Sequence, residues 1–227
     1  MEHTVFLMAM EPEVAALRAR MSNVQTADHG VTYGELAGQP ITAVLCGIGK
    51  VAAATATTLM AAERPRVILS AGVAGGVRAD VAHGALLVVS GAVEHDYDLR
   101  PFVAERSHDF RGPRAWQADA DTVSALHAAA ATTGCTVVDA WTATGDQVVN
   151  DRERHGPILQ LGLDVACVDM ETSAVAYAAT AAGIPWAGLR VISDSADEHL
   201  EADPVLTAAL DAGALLADVL EHYLAAL

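Results

Sequence analysis

Asp169, Glu171, Arg190 and Asp194 stand beside apolar segments within one stretch, residues 165–197, VACVDMETSAVAYAATAAGIPWAGLRVISDSAD. Carboxylates grouped with a guanidinium in a buried setting are equipment for moving protons and gripping a polar ligand. Each carboxylate alone has a plainer account, Glu171 as a helix cap and Asp194 as a surface residue. The grouping with Arg190 favours a site, because buried charges are seldom left unpaired. The elements that must hold these groups can be read from the same stretch. Residues 165–168 read as a short buried strand, 171–182 as a helix, Gly183 as its C′ stop and 186–193 as a second apolar strand. Glu171 thus stands at a helix start and Asp194 at a strand end, where ligand groups collect in open α/β sheets.

A further carboxylate comes from the N-terminus. Residues 5–10 form an apolar run, after which Met10, Val14, Leu17 and Met21 recur at helical spacing. Glu11, Pro12 and Glu13 occupy the first turn, where proline is tolerated and the helix dipole favours acidic side chains. Glu13 also lies three residues after Met10 and four before Leu17, so it projects beside the buried stripe and can face a cleft.

Between these ends the chain alternates strand and helix. Residues 31–36 and 41–46 flank A-G-Q-P and predict a hairpin. Gly47 and Gly49 follow before an alanine-rich helix. Ala52 stands at the third position of G-x-G-x-x-G and there is no P-loop, so the pair reads as a close backbone turn rather than a dinucleotide fingerprint. Residues 66–69 predict a strand running into SAGVAGGV, residues 70–77, whose glycines and alanines around Gly72 imply close backbone approach to another element or a ligand. Residues 85–93 read as a central strand, 121–131 as a helix, 136–141 as a strand, and a helix starts near Asp151. The loop HDYDLRPF carries Leu99, Pro101 and Phe102, apolar groups suited to covering a pocket or docking on a neighbouring subunit; a satellite of the core is the alternative. Leu206, Leu210, Leu216, Leu220 and Tyr223 predict a long amphipathic C-terminal helix.

Composition bounds the function. The 227 residues, 52 % hydrophobic, suffice for one large α/β domain. With 29 acidic against 13 basic side chains the formal charge is −16, which argues against binding nucleic acid phosphates or an anionic membrane surface. Neither a signal peptide nor an apolar run of bilayer-spanning length is apparent, so a soluble, cytoplasmic protein is expected. Cys46, Cys135 and Cys167, widely spaced, fit reduced thiols. The nine histidines include no H-E-x-x-H pair, and the grouping His95, Asp96, Asp98 reads as a polar loop, so no metal site is assigned.

The segments MAMEPEVAALRARM, GIGKVAAATATTLM, SAGVAGGV, HDYDLRPF, TGDQVVND, VDMETSAVA and RVISDSAD follow one another as in the purine nucleoside phosphorylase/uridine phosphorylase superfamily. They resemble most its 5′-methylthioadenosine/S-adenosylhomocysteine nucleosidase branch. The resemblance implies one domain over 1–227, a three-layer α/β/α sandwich around a mixed, partly barrel-like sheet. It also implies hydrolysis of the N-glycosidic bond of a 5′-modified adenosine-type nucleoside, with water as nucleophile and no cofactor. Such cleavage develops positive charge on the sugar and negative charge on the base, calling for a base, an acid and a grip on the ribose. By this likeness Glu13 polarises water beside Arg190. Asp194, supported by Ser193, shares a proton with purine N7, which requires a pKa raised by burial. Glu171 accepts from the vicinal hydroxyls, Met170 packs on the sugar, and Gly72 and Val73 border it. Val148 and Val149 contact the base. Leu99 and Phe102 match loop positions that cross into the partner's 5′-pocket, implying a homodimer.

The sequence departs from the branch at several points. Val73 stands where Ser is common, Val148 where Phe is usual, and Asp169 where Glu is usual; Arg100, Arg106 and Arg111 make the loop more basic than a thioalkyl pocket calls for. A futalosine-type or other specialised nucleoside therefore stays open as the substrate. The acidic M-E-P-E-V start, in place of the G-D-P-x-R segment of phosphorylases, favours water over phosphate as nucleophile. A phosphate-dependent phosphorylase and a non-catalytic nucleoside-binding protein are the rival readings.

Overall fold

A computed structural model describes residues 3–196 and 202–227. In chain order its elements are β1 (Thr4–Met8), α1 (Glu11–Arg18), β2 (Ser22–Thr26), β3 (Val31–Leu36), β4 (Gln39–Leu45), α2 (Lys50–Ala61), β5 (Val67–Gly76), β6 (Leu86–Glu94), β7 (His108–Asp109), β8 (Gly112–Pro113), β9 (Ala115–Gln117), α3 (Ala120–Ala131), β10 (Val137–Thr144), α4 (Arg152–Leu159), β11 (Val165–Asp169), α5 (Thr172–Ala182), β12 (Trp186–Ser195) and α6 (Ala202–Ala225).

The main sheet runs β11-β10-β6-β12-β5-β1-β4-β3-β2 and closes on itself where β11 also pairs with β5. Strand β5 makes this possible through its length. Its first part pairs β1 on one edge, Thr4 opposite Val67 through Leu7 opposite Ser70. Beyond β1, Gly75 and Gly76 are free to take β11 on that same edge, opposite Val168 and Cys167. Five strands, β5, β12, β6, β10 and β11, thus make a closed barrel, and β1, β4, β3 and β2 extend from it as an open wing. Parallel and antiparallel pairings are mixed, as expected from the resemblance: β12 is parallel to β5 and antiparallel to β6.

The core strands are continuous apolar runs because helices cover them. Val5, Phe6, Leu7 and Met8 of β1 and Leu86 to Val89 of β6 are all buried. Helices α1 and α3 pack on α6, and α2 packs on α5, in two groups flanking the sheet. The small residues of α5, including Ala174, Ala176 and Ala179, are buried and allow close helix–sheet approach. Gly183 ends this helix in the left-handed conformation, φ 70°, as its sequence position implied.

Several expectations are refined. The β3–β4 connection is only two residues, Ala37 and Gly38, both at positive φ, so Gln39 and Pro40 belong to the strand. The strand expected over 66–69 continues through most of SAGVAGGV, β5 ending at Gly76. Strand β2 is exposed along its whole length, and β7 to β9 are two or three residues long, so neither left an apolar pattern to find. Helix α1 ends at Arg18, leaving the buried Met21 beyond it. On α6, Leu216, Leu220 and Tyr223 are buried, but Leu210 is exposed, because Ala209 and Ala212 form the inward face there. The side chain of Leu206, and Asp197 at the end of RVISDSAD, lie outside what is described. Among the described residues no helix is long and apolar enough to cross a membrane, and no three His, Cys, Asp or Glu side chains are grouped to hold a metal ion.

Candidate active site

Glu13, Glu171, Arg190, Gly72 and Val73 line one cavity, together with Leu7, Ala9, Cys46, Ser70, Ala71 and Val175. Its volume is about 10 Å³, close to the smallest space that holds a water molecule. The lining comes from α1, β1, β5, β12, the end of β4 and the start of α5, so only the folded chain assembles it.

Glu13 is 1 % exposed and sits at N3 of α1. One oxygen, Oε2, accepts from the Met10 N–H at 2.9 Å and the Ala9 N–H at 3.1 Å, half of a capping box. The other, Oε1, accepts from the Val73 N–H at 3.0 Å on β5. The residue is therefore both helix cap and cavity wall. Burial raises its pKa, against which the three backbone donors and the charge of Arg190 act.

Arg190, on β12, is 2 % exposed and is the hub of the charged network. Its Nε donates to Asp169 Oδ2 at 2.9 Å, its Nη2 to Ser70 Oγ at 2.8 Å and Thr172 Oγ1 at 2.7 Å, and its Nη1 to the Leu189 carbonyl at 3.2 Å. Asp169, at the end of β11, also accepts from the hydroxyls of Thr142, Thr144 and Thr172 and from the N–H groups of Glu171 and Thr172. Burial works to raise its pKa, but Arg190 and these donors outweigh burial and hold the carboxyl below its ordinary value. Asp169 is thus the structural counter-ion. Ser70 and Thr172, which complete the set of acceptors around the arginine, were not singled out in the sequence; the one available signal was a serine inside the apolar run of β5.

Glu171 precedes the first turn of α5 and accepts the Gly49 N–H at 2.9 Å through Oε1. Burial and the neighbouring Asp169 raise its pKa to about 7, with Arg190 and the Gly49 N–H opposing them. Cys46, also in the wall, is pushed up to about 12 by burial and is no nucleophile near neutral pH.

Asp194 lies four residues beyond Arg190 on β12 and does not line this cavity. Asp194 pairs with Gly75 although Ile192 pairs with Ala74, so Ser193 is the extra residue of a β-bulge, a device that re-aims the following side chain. The Ser193 hydroxyl donates to Asp194 Oδ2 at 2.6 Å. A Cβ on Gly75 would meet Asp194 Oδ1 at 3.1 Å, just as one on Gly72 would meet Glu13 Oε1 at 2.7 Å. Both carboxylates therefore lie against glycines of β5, three residues or roughly 10 Å apart along the strand. Met170 is half-buried between Asp169 and Glu171, Val149 is buried, and Val148 is 52 % exposed. Leu99 is half-buried and Phe102 is 79 % exposed on the long loop. None of these five borders the small cavity. Of the polar loop, His95 is buried, Asp96 binds Lys50 and Asp98 binds Arg100.

With the barrel, its wing and the buried Glu13–Arg190–Glu171 arrangement in view, comparison with known proteins defines the class. The chain belongs to the phosphorylase superfamily, whose family model matches residues 3–225. A 5′-methylthioadenosine/S-adenosylhomocysteine nucleosidase of Shewanella piezotolerans is 34 % identical over 200 residues, 86 % of this chain and 87 % of that protein. The crystal structure of a 5′-methylthioadenosine/S-adenosylhomocysteine nucleosidase from Neisseria meningitidis in complex with methylthio-immucillin-A superimposes with a TM-score of 0.92 at 30 % identity, covering all of both chains. A futalosine hydrolase mutant of Helicobacter pylori also covers both chains fully, with a TM-score of 0.91 at 25 % identity.

Proposed function

We propose that this chain is a purine nucleosidase that hydrolyses the N-glycosidic bond of a 5′-modified adenosine-type nucleoside, of the methylthioadenosine/S-adenosylhomocysteine class, to free base and 5′-substituted ribose. The observation that carries this reading is the convergence of Glu13, Glu171 and Arg190 on one water-sized cavity, in a chain 34 % identical to a nucleosidase of that name.

In this scheme water occupies the cavity and Glu13 takes its proton as it attacks the anomeric carbon. The raised pKa of Glu13 makes it a better base than an exposed carboxylate, and its three backbone donors fix its direction. Arg190 stands beside it, rigid because Asp169, Ser70 and Thr172 hold it. Glu171 accepts from the vicinal hydroxyls of the ribose through both carboxylate oxygens, Oε1 keeping the Gly49 N–H on its other lone pair. Met170 packs on the sugar, and Gly72 and Val73 pass behind it. The departing base receives a proton at N7 from Asp194, oriented by Ser193, while Val148 and Val149 contact the ring. Leu99 and Phe102 reach the 5′-pocket of a second copy in a homodimer, and the exposure of Phe102 suits that role. No cofactor, nucleic acid or membrane takes part.

Water rather than phosphate is favoured as nucleophile. Among the described residues lining the cavity Arg190 is the one cation, and each of its nitrogens already donates to the protein, whereas two glutamates face the space. A phosphate there would meet like charge, and the one lining cation already has Asp169 as its counter-ion.

The test is base release from methylthioadenosine, S-adenosylhomocysteine, 5′-deoxyadenosine, futalosine and inosine, followed by chromatography with and without phosphate. Adenine and a free 5′-substituted ribose formed in phosphate-free buffer are expected. Turnover that requires phosphate sinks the hydrolytic assignment, and preference for futalosine moves the substrate class to that second nucleoside.

A further inference from the structure

Helix α2 begins with a feature that its own sequence does not justify. Lys50 occupies the first turn, where the helix dipole disfavours a cation. Three carboxylates surround its ammonium group: Asp96 Oδ1 at 2.7 Å, Glu94 Oε1 at 3.7 Å and Asp146 Oδ2 at 3.9 Å. Glu94 closes β6, Asp96 follows it, and Asp146 follows β10, so Lys50 ties two barrel strands to the start of α2. Backbone bonds tighten the tie. The Lys50 N–H donates to Asp146 Oδ1 at 2.8 Å and the Asp146 N–H to Asp96 Oδ2 at 2.9 Å. Arg114 holds the other oxygen of Glu94 at 2.7 Å.

One residue earlier, Gly49 stands at φ 97°, a conformation that side chains rarely adopt. A Cβ there would meet Asp146 Oδ1 at 3.1 Å. Its N–H points the opposite way in function, to Glu171 Oε1. The 47–50 turn is therefore gripped by acidic groups of β6 and β10 on one side and delivers a single donor to the buried glutamate on the other.

We propose that Lys50 is a positioning residue for nucleoside cleavage: by gathering Glu94, Asp96 and Asp146 it fixes the turn that aims the Gly49 N–H at Glu171, and so sets where the ribose acceptor stands. This rests on the reading of Glu171 as the group that takes the sugar hydroxyls. The charged and titratable groups facing Glu171 are Asp169 from β11, Arg190 from β12, Glu13 from α1 and Cys46 from the end of β4. Of these, Glu13, Arg190 and Cys46 line the cavity, and Asp169 stands behind it as the partner of Arg190. Loss of the Lys50 tie removes the Gly49 donor from the ionised form, and the carboxyl becomes harder to ionise.

The experiment compares wild type with Lys50→Met, Lys50→Arg and Asp96→Asn. Each is labelled with carboxyl-¹³C glutamate and titrated by NMR, the Glu171 signal being assigned by its disappearance in Glu171→Gln. In Lys50→Met the Glu171 titration should move to higher pH, and kcat/KM at pH 7 should fall about tenfold, mainly through KM, with its acidic limb moving alongside. Lys50→Arg should restore both, and Asp96→Asn should show part of the effect. If Lys50→Met does not fold, the Asp96→Asn titration decides. An unmoved Glu171 titration, or a Lys50→Arg protein no better than Lys50→Met, overturns the proposal. A titration that moves while Glu171→Gln still turns over normally upholds the positioning link and instead removes Glu171 from substrate binding.

Discussion

Glu13 Oε1 fills the space that a side chain on Gly72 would take: a Cβ at that position would lie 2.7 Å from the carboxylate oxygen and 3.4 Å from Arg190 Nη1. The carboxylate reaches β5 because α1 starts immediately after β1, and the strand accepts it because residue 72 has no side chain. The glycine here serves close approach rather than unusual backbone geometry. Gly72→Ala should push Glu13 off its Val73 N–H, cut kcat/KM by about 100-fold and cost about 1–3 kcal/mol of stability. Kinetics and urea unfolding of the variant measure both; wild-type kinetics in Gly72→Ala would disconnect this contact from turnover.

Replacing Glu13 by glutamine keeps the shape and one of the two acceptor oxygens but removes the carboxylate that the proposed mechanism uses as its base. Turnover should drop by about 10²–10⁴-fold while a non-hydrolysable purine nucleoside analogue still binds. Calorimetric titration beside a single-turnover assay separates the two. A variant that hydrolyses at the wild-type rate would take Glu13 out of the chemistry.

Glu171 titrates near pH 7 in the folded protein against 4.5 as its ordinary value. The native state therefore binds this proton more tightly than the unfolded chain. The stability it contributes is full below pH 4.5, falls as pH rises towards 7 and is gone above it, a change of roughly 3 kcal/mol at most. Glu171→Gln should flatten that slope and be more stable than wild type at pH 8, yet lose activity. Urea melts at pH 5 and pH 8 check the stability, and kcat/KM of wild type should show an acidic limb near pH 7.

Asp169 and Arg190 form an ion pair at 2.9 Å with both side chains almost wholly buried, 1 % and 2 % exposed. Asp169→Asn leaves the guanidinium charged and uncompensated, which should cost about 3–5 kcal/mol. For a protein of this size that lowers Tm by roughly 6–20 °C. Scanning calorimetry tests it; an unchanged Tm would mean that the hydroxyls of Ser70 and Thr172 suffice.

The unit from residue 165 to 195 was legible because it carries local signals: a short apolar run, a glutamate at the helix start and Gly183 at its end. Glu13 was legible through its place beside the apolar stripe of α1. The family resemblance supplied what local pattern could not, the closure of the sheet. Strand β5 was read only in part because Gly72, Gly75 and Gly76 look like loop residues, whereas their small size is what lets carboxylates and β11 approach. Strand β2, S-N-V-Q-T, has no buried face and so no alternation to detect. The Lys50 cluster was invisible for another reason: its partners at 94, 96 and 146 meet only after the barrel forms.

The barrel seam is held where Gly75 and Gly76 meet Val168 and Cys167, with the Val77 N–H bonded to the Ala166 carbonyl at 2.9 Å. These segments are far apart along the polypeptide, so joining them carries a large entropic cost that short-range contacts do not share. Refolding should accordingly end with this step, the Val77 amide gaining protection from hydrogen exchange after those of β1 and β4. Until then Asp169 and Glu171, carried at the end of β11, would lack Arg190 as a fixed neighbour, so activity should return together with protection of the Val77 amide and not before it.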